Sequence, residues 1–304
     1  MVIGFLVLSG FLLGTMFNRV QALDVTQFYV GKARRLLPMF LAALLAGVCI
    51  SAIHAGWGHI LPPWSSHEWG HCHLSEWLAH YDSPLWYMVV EFSMLLLAPF
   101  LFFLHKRKCG MVCFFILAIA VAAIMFSQVD YLSNRGDGLY YSPVARCWQF
   151  VGGVFAARLP EWGCLALPKR QTLCRSCAII LSLAFLAALA FLMSVEQEAE
   201  LHCWNFTFEF DTLSVLLYML LIPALYSCRM VVGQHTARMF AQIAAMTYPI
   251  YLFHVEVWIV VLALQARMGM DFPAYMPTIT AAILSCLLAW LLVKVESRVS
   301  ARFK

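Results

Sequence analysis

The sequence predicts an all-α polytopic membrane protein, a bundle of about nine transmembrane helices with the N-terminus outside and the C-terminus in the cytoplasm. Three observations carry this expectation. Of 304 residues, 63% are hydrophobic and only 12% are charged, with a mean hydropathy of +0.80, whereas soluble domains carry about 25% charged residues. The apolar residues fall in runs long enough to cross a hydrocarbon core as helix, for which about 20 residues suffice. The basic residues also keep to one side. With the N-terminus outside, 17 of the 20 Lys and Arg face the cytoplasm, and Arg135, Arg146 and Arg267 alone fall at or near the outer side. The inverted topology would reverse that bias, so the positive-inside rule selects the first.

The predicted spans follow in order. Val2–Phe17 opens the chain inside an apolar run, and its first basic residue, Arg19, comes after the run. A signal peptide needs its charge in front, so this segment reads as a helix crossing from outside to inside. Leu36–His54 follows the basic stretch "FYVGKARRLLPMF", with Pro38 placed in the first turn, where its missing N–H costs little. Ser83–Leu104 carries Glu91 inside an otherwise apolar run, and Met111–Ser127 follows the basic Lys106, Arg107 and Lys108. Tyr141–Ala157 holds Arg146 near its outer end, and Gly152 and Gly153 permit close helix approach. Ala178–Ser194, Thr212–Ser227, Thr247–Gln265 and Thr278–Val295 complete the set. No loop is long enough to fold alone, so residues 1–304 read as a single membrane-embedded domain.

Four stretches place polar groups where a membrane makes them costly. Lys32, Arg34 and Arg35 are explained by topology alone, or by the phosphates of a cytoplasmic nucleotide or coenzyme docking at a helix start. Glu91 lies about 12 Å below the outer end at 1.5 Å per residue, sharing a face with Pro84, Tyr87 and Met94. It reads either as a partner for another helix, with Arg146 within reach, or as a catalytic or substrate-orienting carboxylate. Thr247, Tyr251, His254 and Trp258 share one face of the eighth span, while Glu256 points to a different neighbour. His254 reads as a helix–helix hydrogen-bonding group or as a base. Intramembrane charges such as Glu91 and Glu256 also suit an ion-coupled transporter or flippase.

Cysteines add little. Cys174 and Cys177 form one tight pair without a second pair to complete a zinc site. Cys72 and Cys203 both fall outside, where a disulfide is chemically permitted. The outer loop holding His67, His71, Cys72, His73, Glu76 and His80 has groups that suit first-row metals, yet a Trp- and His-rich interfacial loop accounts for it, and no metal is expected.

The stretches "FLVLSGFLLG", "FYVGKARRLLPMF", "SPLWYMVVE", "RCWQFVGGVFA" and "AAMTYPIYLFH", in that order along nearly the whole chain, resemble the signatures of the acyltransferase 3 family of integral membrane O-acyltransferases. The resemblance implies transfer of an acyl group, commonly acetyl, from cytoplasmic acyl-CoA to a hydroxyl of an extracytoplasmic glycan or lipid-linked sugar. It implies a multi-pass protein of a bacterial inner membrane, with acyl-CoA as co-substrate and no bound cofactor. Beyond acyl-CoA, the acceptor and membrane lipid, no nucleic-acid partner is expected. By the resemblance, Lys32, Arg34 and Arg35 match the donor-binding motif, and Glu91 and His254 are the catalytic candidates. Trp86, Tyr87, Arg146 and Tyr251 are then the substrate-binding candidates. In the family, a helix carrying an Arg and a His precedes the "FLVLSGF" signature. A further helix is therefore expected upstream, packing on Gly4, Ser9 and Gly10, and without its His transfer is expected to be slow.

Overall fold

The computed structural model describes residues 2–55, 84–127, 142–159, most of 180–188, 204–227, 233–269, 273 and 275–302. They form helices α1 (Val2–Arg19), α2 (Val25–Ala55), α3 (Leu85–Leu96), α4 (Ala98–His105), α5 (Lys108–Ser127), α6 (Pro143–Ala156), α7 (Trp204–Ser227), α8 (Gln234–Met268) and α9 (Tyr275–Arg302). Short helical pieces lie within 180–188, and no strand occurs among the described residues. The α2 stretch Val25–Ile50, α8 and the α9 stretch Tyr275–Arg298 are each long and apolar enough to cross a membrane, and α3 with α4 makes a fourth candidate. The outer-loop His and Cys, the Cys174/Cys177 pair, Cys203 and much of the Ala178–Ser194 run lie outside the described residues.

Three expectations are corrected. Ser83–Leu104 is not one straight span: α3 and α4 meet at Leu97 with a 52° bend. Pro99, in the first turn of α4, supplies the cause, since it lacks the N–H that would continue the ladder and its ring crowds the preceding turn. The break is closed locally, Leu97 N donating to Met94 O at 3.1 Å and Leu101 N to Leu97 O at 2.9 Å. Second, α2 begins at Val25, so Pro38 lies inside the helix and Lys32, Arg34 and Arg35 do not stand at a helix start. The polar opening of α2 is supported by an i,i+4 pair, Lys32 Nζ lying 5.8 Å from the centre of the Phe28 ring. Third, Gly4 and Gly10, two of the three small residues expected to receive an upstream helix, are met by Tyr218 and by the Phe150 backbone of this chain.

Packing divides the chain into two compact units, Met1–Val25 with Val89–Val231, and Thr26–Met88 with Val232–Lys304. The first is built around α1 lying on α6, with α5 and α7 alongside. Glycines set that contact. A Cβ on Gly10 would overlap the Phe150 carbonyl, and one on Gly153 would overlap the Val7 carbonyl and come within 2.8 Å of Phe11 N. Backbone therefore meets backbone, as the Gly152–Gly153 pair in the sequence suggests. Gly4 faces the Tyr218 ring, where a Cβ would sit 2.8 Å from Cζ. Around the seam, Val7, Phe11, Trp148, Val215 and Met219 close a buried apolar cluster.

The C-terminal ends of α1, α4, α6 and α7 meet at one pole of this unit. His105 Nε2 lies 2.6 Å from Asn18 Oδ1, and Asn18 Nδ2 donates to Ala157 O at 3.2 Å. Lys106 Nζ donates to Phe17 O at 3.0 Å and Val20 O at 2.8 Å, covering carbonyls that the end of α1 leaves open. Arg19 donates to the Tyr226 hydroxyl at 2.9 Å.

In the second unit α8 and α9 form a hairpin. Gly269 ends α8 in the left-handed region, at φ 60°, which an L side chain adopts only with strain. On α9 the buried residues Ala281, Ser285 and Ala289 recur every four positions, a stripe of small side chains. Tyr248 ties α8 to α2 by donating to Leu36 O at 3.0 Å.

Candidate functional site

In the first unit, Pro143 starts α6 at its first position, where a fixed φ favours a helix and the missing N–H is no loss. One turn later Arg146 is buried, and its guanidinium forms an ion pair with Asp211, also buried, on α7. Gln149 lies one turn further along the same face of α6, and its Nε2 donates to the same carboxylate oxygen at 3.5 Å. Two charges this deep are tolerable only as a pair, because either alone would carry an uncompensated desolvation cost. Sequence reading singled out Arg146 but not Asp211. The signal was an acidic residue in an apolar stretch, masked by its position one residue ahead of the predicted span. Glu91, two turns into α3, is 7% exposed, and the face it shares with Tyr87 and Met94 is buried. Ser93, next to it in sequence, turns its hydroxyl back to Val89 O at 2.7 Å.

At the pole where the helix C-termini meet, His105 is 1% exposed. Asn18 donates through Nδ2, so its Oδ1 accepts and His105 carries its proton on Nε2. This buried imidazole was not foreseen in the sequence, where it reads as the polar end of a span.

The second unit gathers the other sequence candidates. Trp86 and Tyr87, on the first turn of α3, are 4% and 5% exposed. The Tyr87 ring meets the Tyr251 ring edge-on with centroids 5.2 Å apart, and Tyr251 lies 6.0 Å from the His254 ring. Tyr87, Tyr251 and His254 thus form a continuous line of aromatic groups. His254 is exposed, and its Nδ1 lies 2.8 Å from Tyr251 O. A carbonyl only accepts, so Nδ1 carries the hydrogen and Nε2 presents its lone pair. Thr247 and Trp258 share that exposed face, whereas Pro249, Leu252, Phe253 and Glu256 form the buried stripe of α8. Glu256 does point away from His254, as its position in the sequence suggests. On α2, Arg34 and Arg35 are exposed and Lys32 is half-buried. Among the described residues no group of His, Cys, Asp and Glu could hold a metal ion.

A sequence model of the acyltransferase 3 family, described as an acyltransferase domain, matches residues 1–294. The chain belongs to this family. No curated protein and no solved structure matches the chain. For a member of the acyltransferase 3 family, an all-helical architecture with membrane-spanning helices fits chemistry at or within the bilayer. Among the described residues, Glu91, Asp211 and Glu256 are buried carboxylates within helices.

Proposed function

We propose that this acyltransferase moves an acyl group, most simply acetyl, from cytoplasmic acyl-CoA to a hydroxyl of an extracytoplasmic glycan or lipid-linked sugar. The observation that carries the reading is the exposed His254, held in the tautomer of a general base on a membrane helix of this family. The basic bias of the sequence supports an N-terminus outside and a C-terminus inside, with all nine predicted runs as spans, and the family resemblance adds a bacterial inner membrane. Lys32, Arg34 and Arg35 dock the phosphates of CoA from the cytoplasm by charge alone.

In the transfer step the acceptor hydroxyl gives its proton to His254 Nε2 as its oxygen attacks the thioester carbonyl. The C–O bond forms, the C–S bond breaks, and the CoA thiolate leaves with the proton from the imidazolium. Trp86, Tyr87 and Tyr251, in the same unit as His254, line the acceptor's approach. The family match favours transfer over ion-coupled transport.

The test uses the chain in lipid nanodiscs with radiolabelled acetyl-CoA. Wild type binds CoA and labels a hydroxyl acceptor. Replacing Lys32, Arg34 and Arg35 together by Gln weakens CoA binding, most strongly at low salt, where exposed charges are least screened. Unchanged CoA affinity in a folded triple variant refutes the dock.

A further inference from the structure

The polar cluster on α6 and α7 contains more hydrogen-bonding capacity than its ion pair uses. Gln149 is 0% exposed and Ser214 is 1% exposed. Gln149 Oε1 and Ser214 Oγ have no hydrogen-bond partner among the described residues. Ser214 lies one turn along α7 from Asp211 on the same face, as Gln149 does from Arg146 on α6. The Arg146–Asp211 pair and the Gln149–Asp211 contact bring those two faces together. A buried serine in a helix ordinarily returns its hydroxyl to a carbonyl of the preceding turn, as Ser93 does. Ser214 does not.

We propose that Gln149 and Ser214, backed by the Arg146–Asp211 pair, form a subsite for an uncharged hydroxyl of the acceptor, that is, a saccharide hydroxyl. Charge decides the ligand class. Arg146 is already paired with Asp211, so the cluster offers no surplus positive charge to a phosphate or carboxylate. The two unsatisfied atoms are an amide oxygen, which accepts, and a hydroxyl, which donates or accepts. An alcohol complements both and a CoA phosphate complements neither. Leaving two buried polar atoms unpaired side by side weakens the ligand-free fold, and a bound partner that satisfies both removes that cost.

This inference rests on the transferase reading above, and one experiment separates the two. The chain in nanodiscs is given labelled acetyl-CoA and a series of methyl hexopyranosides as acceptor probes. Ser214→Ala is expected to keep or raise the thermal midpoint without acceptor, because it removes an unsatisfied buried atom, whereas Gln149→Met also gives up the Nε2 contact to Asp211 and is read by its KM. Each is expected to raise the KM for the glycoside about five- to tenfold, the worth of one neutral hydrogen bond. CoA affinity stays unchanged, and Ser214→Thr, which keeps a hydroxyl, recovers most of the loss. An unchanged glycoside KM overturns the subsite, the atoms then being met by a buried water or by nothing. A fall in thermal midpoint for Ser214→Ala overturns it too, because the hydroxyl then has a structural partner. If wild type binds CoA but acylates no glycoside, the subsite fails and the donor reading stands. If wild type neither binds CoA nor transfers, the proposed function itself fails.

Discussion

Removing the Arg146–Asp211 pair one side at a time gives the sharpest test of the first unit. Both side chains are nearly inaccessible, at 3% and 8% exposure. Breaking a buried pair typically costs about 3–5 kcal/mol, because a charge is left without compensation. The two halves should differ. Asp211→Leu strands a guanidinium that cannot shed its proton, so its cost belongs near about 5 kcal/mol. Arg146→Met strands a carboxyl that can be neutralised by taking up a proton, and Gln149 still donates to it at 3.5 Å. That variant belongs near about 3 kcal/mol. At about 1.4 kcal/mol per decade, the folded-to-unfolded ratio falls by roughly a hundredfold to several thousandfold. The double variant replaces both charges with apolar groups and should return to within about 1 kcal/mol of wild type, or exceed it. Equilibrium unfolding in mixed detergent micelles measures all three and closes the cycle. Single variants that each cost under about 1 kcal/mol, or a double that costs the sum of both, would refute the claim that the pair is buried and mutually dependent.

Four further outcomes follow from the geometry. Gly153→Val places side-chain atoms on the Val7 carbonyl and should abolish monodisperse protein in detergent size-exclusion chromatography. Gly152→Ala meets only the Met219 and Phe115 side chains, whose flexible ends can give way, and should leave folded protein. His254→Gln should lower acyl transfer about 10²–10⁴-fold, the usual worth of a general base, with the unfolding midpoint nearly unchanged because the side chain is exposed. Asn18→Leu leaves the buried His105 Nε2–H without its acceptor and should cost about 1–3 kcal/mol by the same unfolding assay; no loss would mean that the 2.6 Å contact contributes nothing.

Much of this fold is legible in hydropathy, because a run of apolar residues has few alternatives to a buried or spanning helix. Helix ends are less legible. The opening turns of α2 are polar, and nothing in a hydropathy run marks them as helix, although the Phe28–Lys32 spacing does so in retrospect. Pro99 lies inside the apolar run read as one span, and the bend at Leu97 follows from it. Pairing is the harder problem. Arg146 finds Asp211 across 65 positions of sequence, and no local spacing encodes that choice. The glycines of α1 were readable as a contact face, but a single sequence does not say which helix fills it; α6 and Tyr218 do. Within the candidate site, the Tyr251–His254 face could be read from its period, whereas the hydrogen that fixes the imidazole tautomer needed the position of the Tyr251 carbonyl.

The glycine seam between α1 and α6 also sets a timetable for biogenesis. Gly10 and Gly153 fit against each other's helix backbone, so neither surface can be completed by local residues. They are separated by 143 positions, which a ribosome adding roughly 5–20 residues per second covers in about 7–30 seconds. Through that interval the backbone groove of α1 stays open to whatever surrounds the nascent chain. Whatever occupies the groove must leave when α6 arrives, so the seam is completed by an exchange of partners along α1.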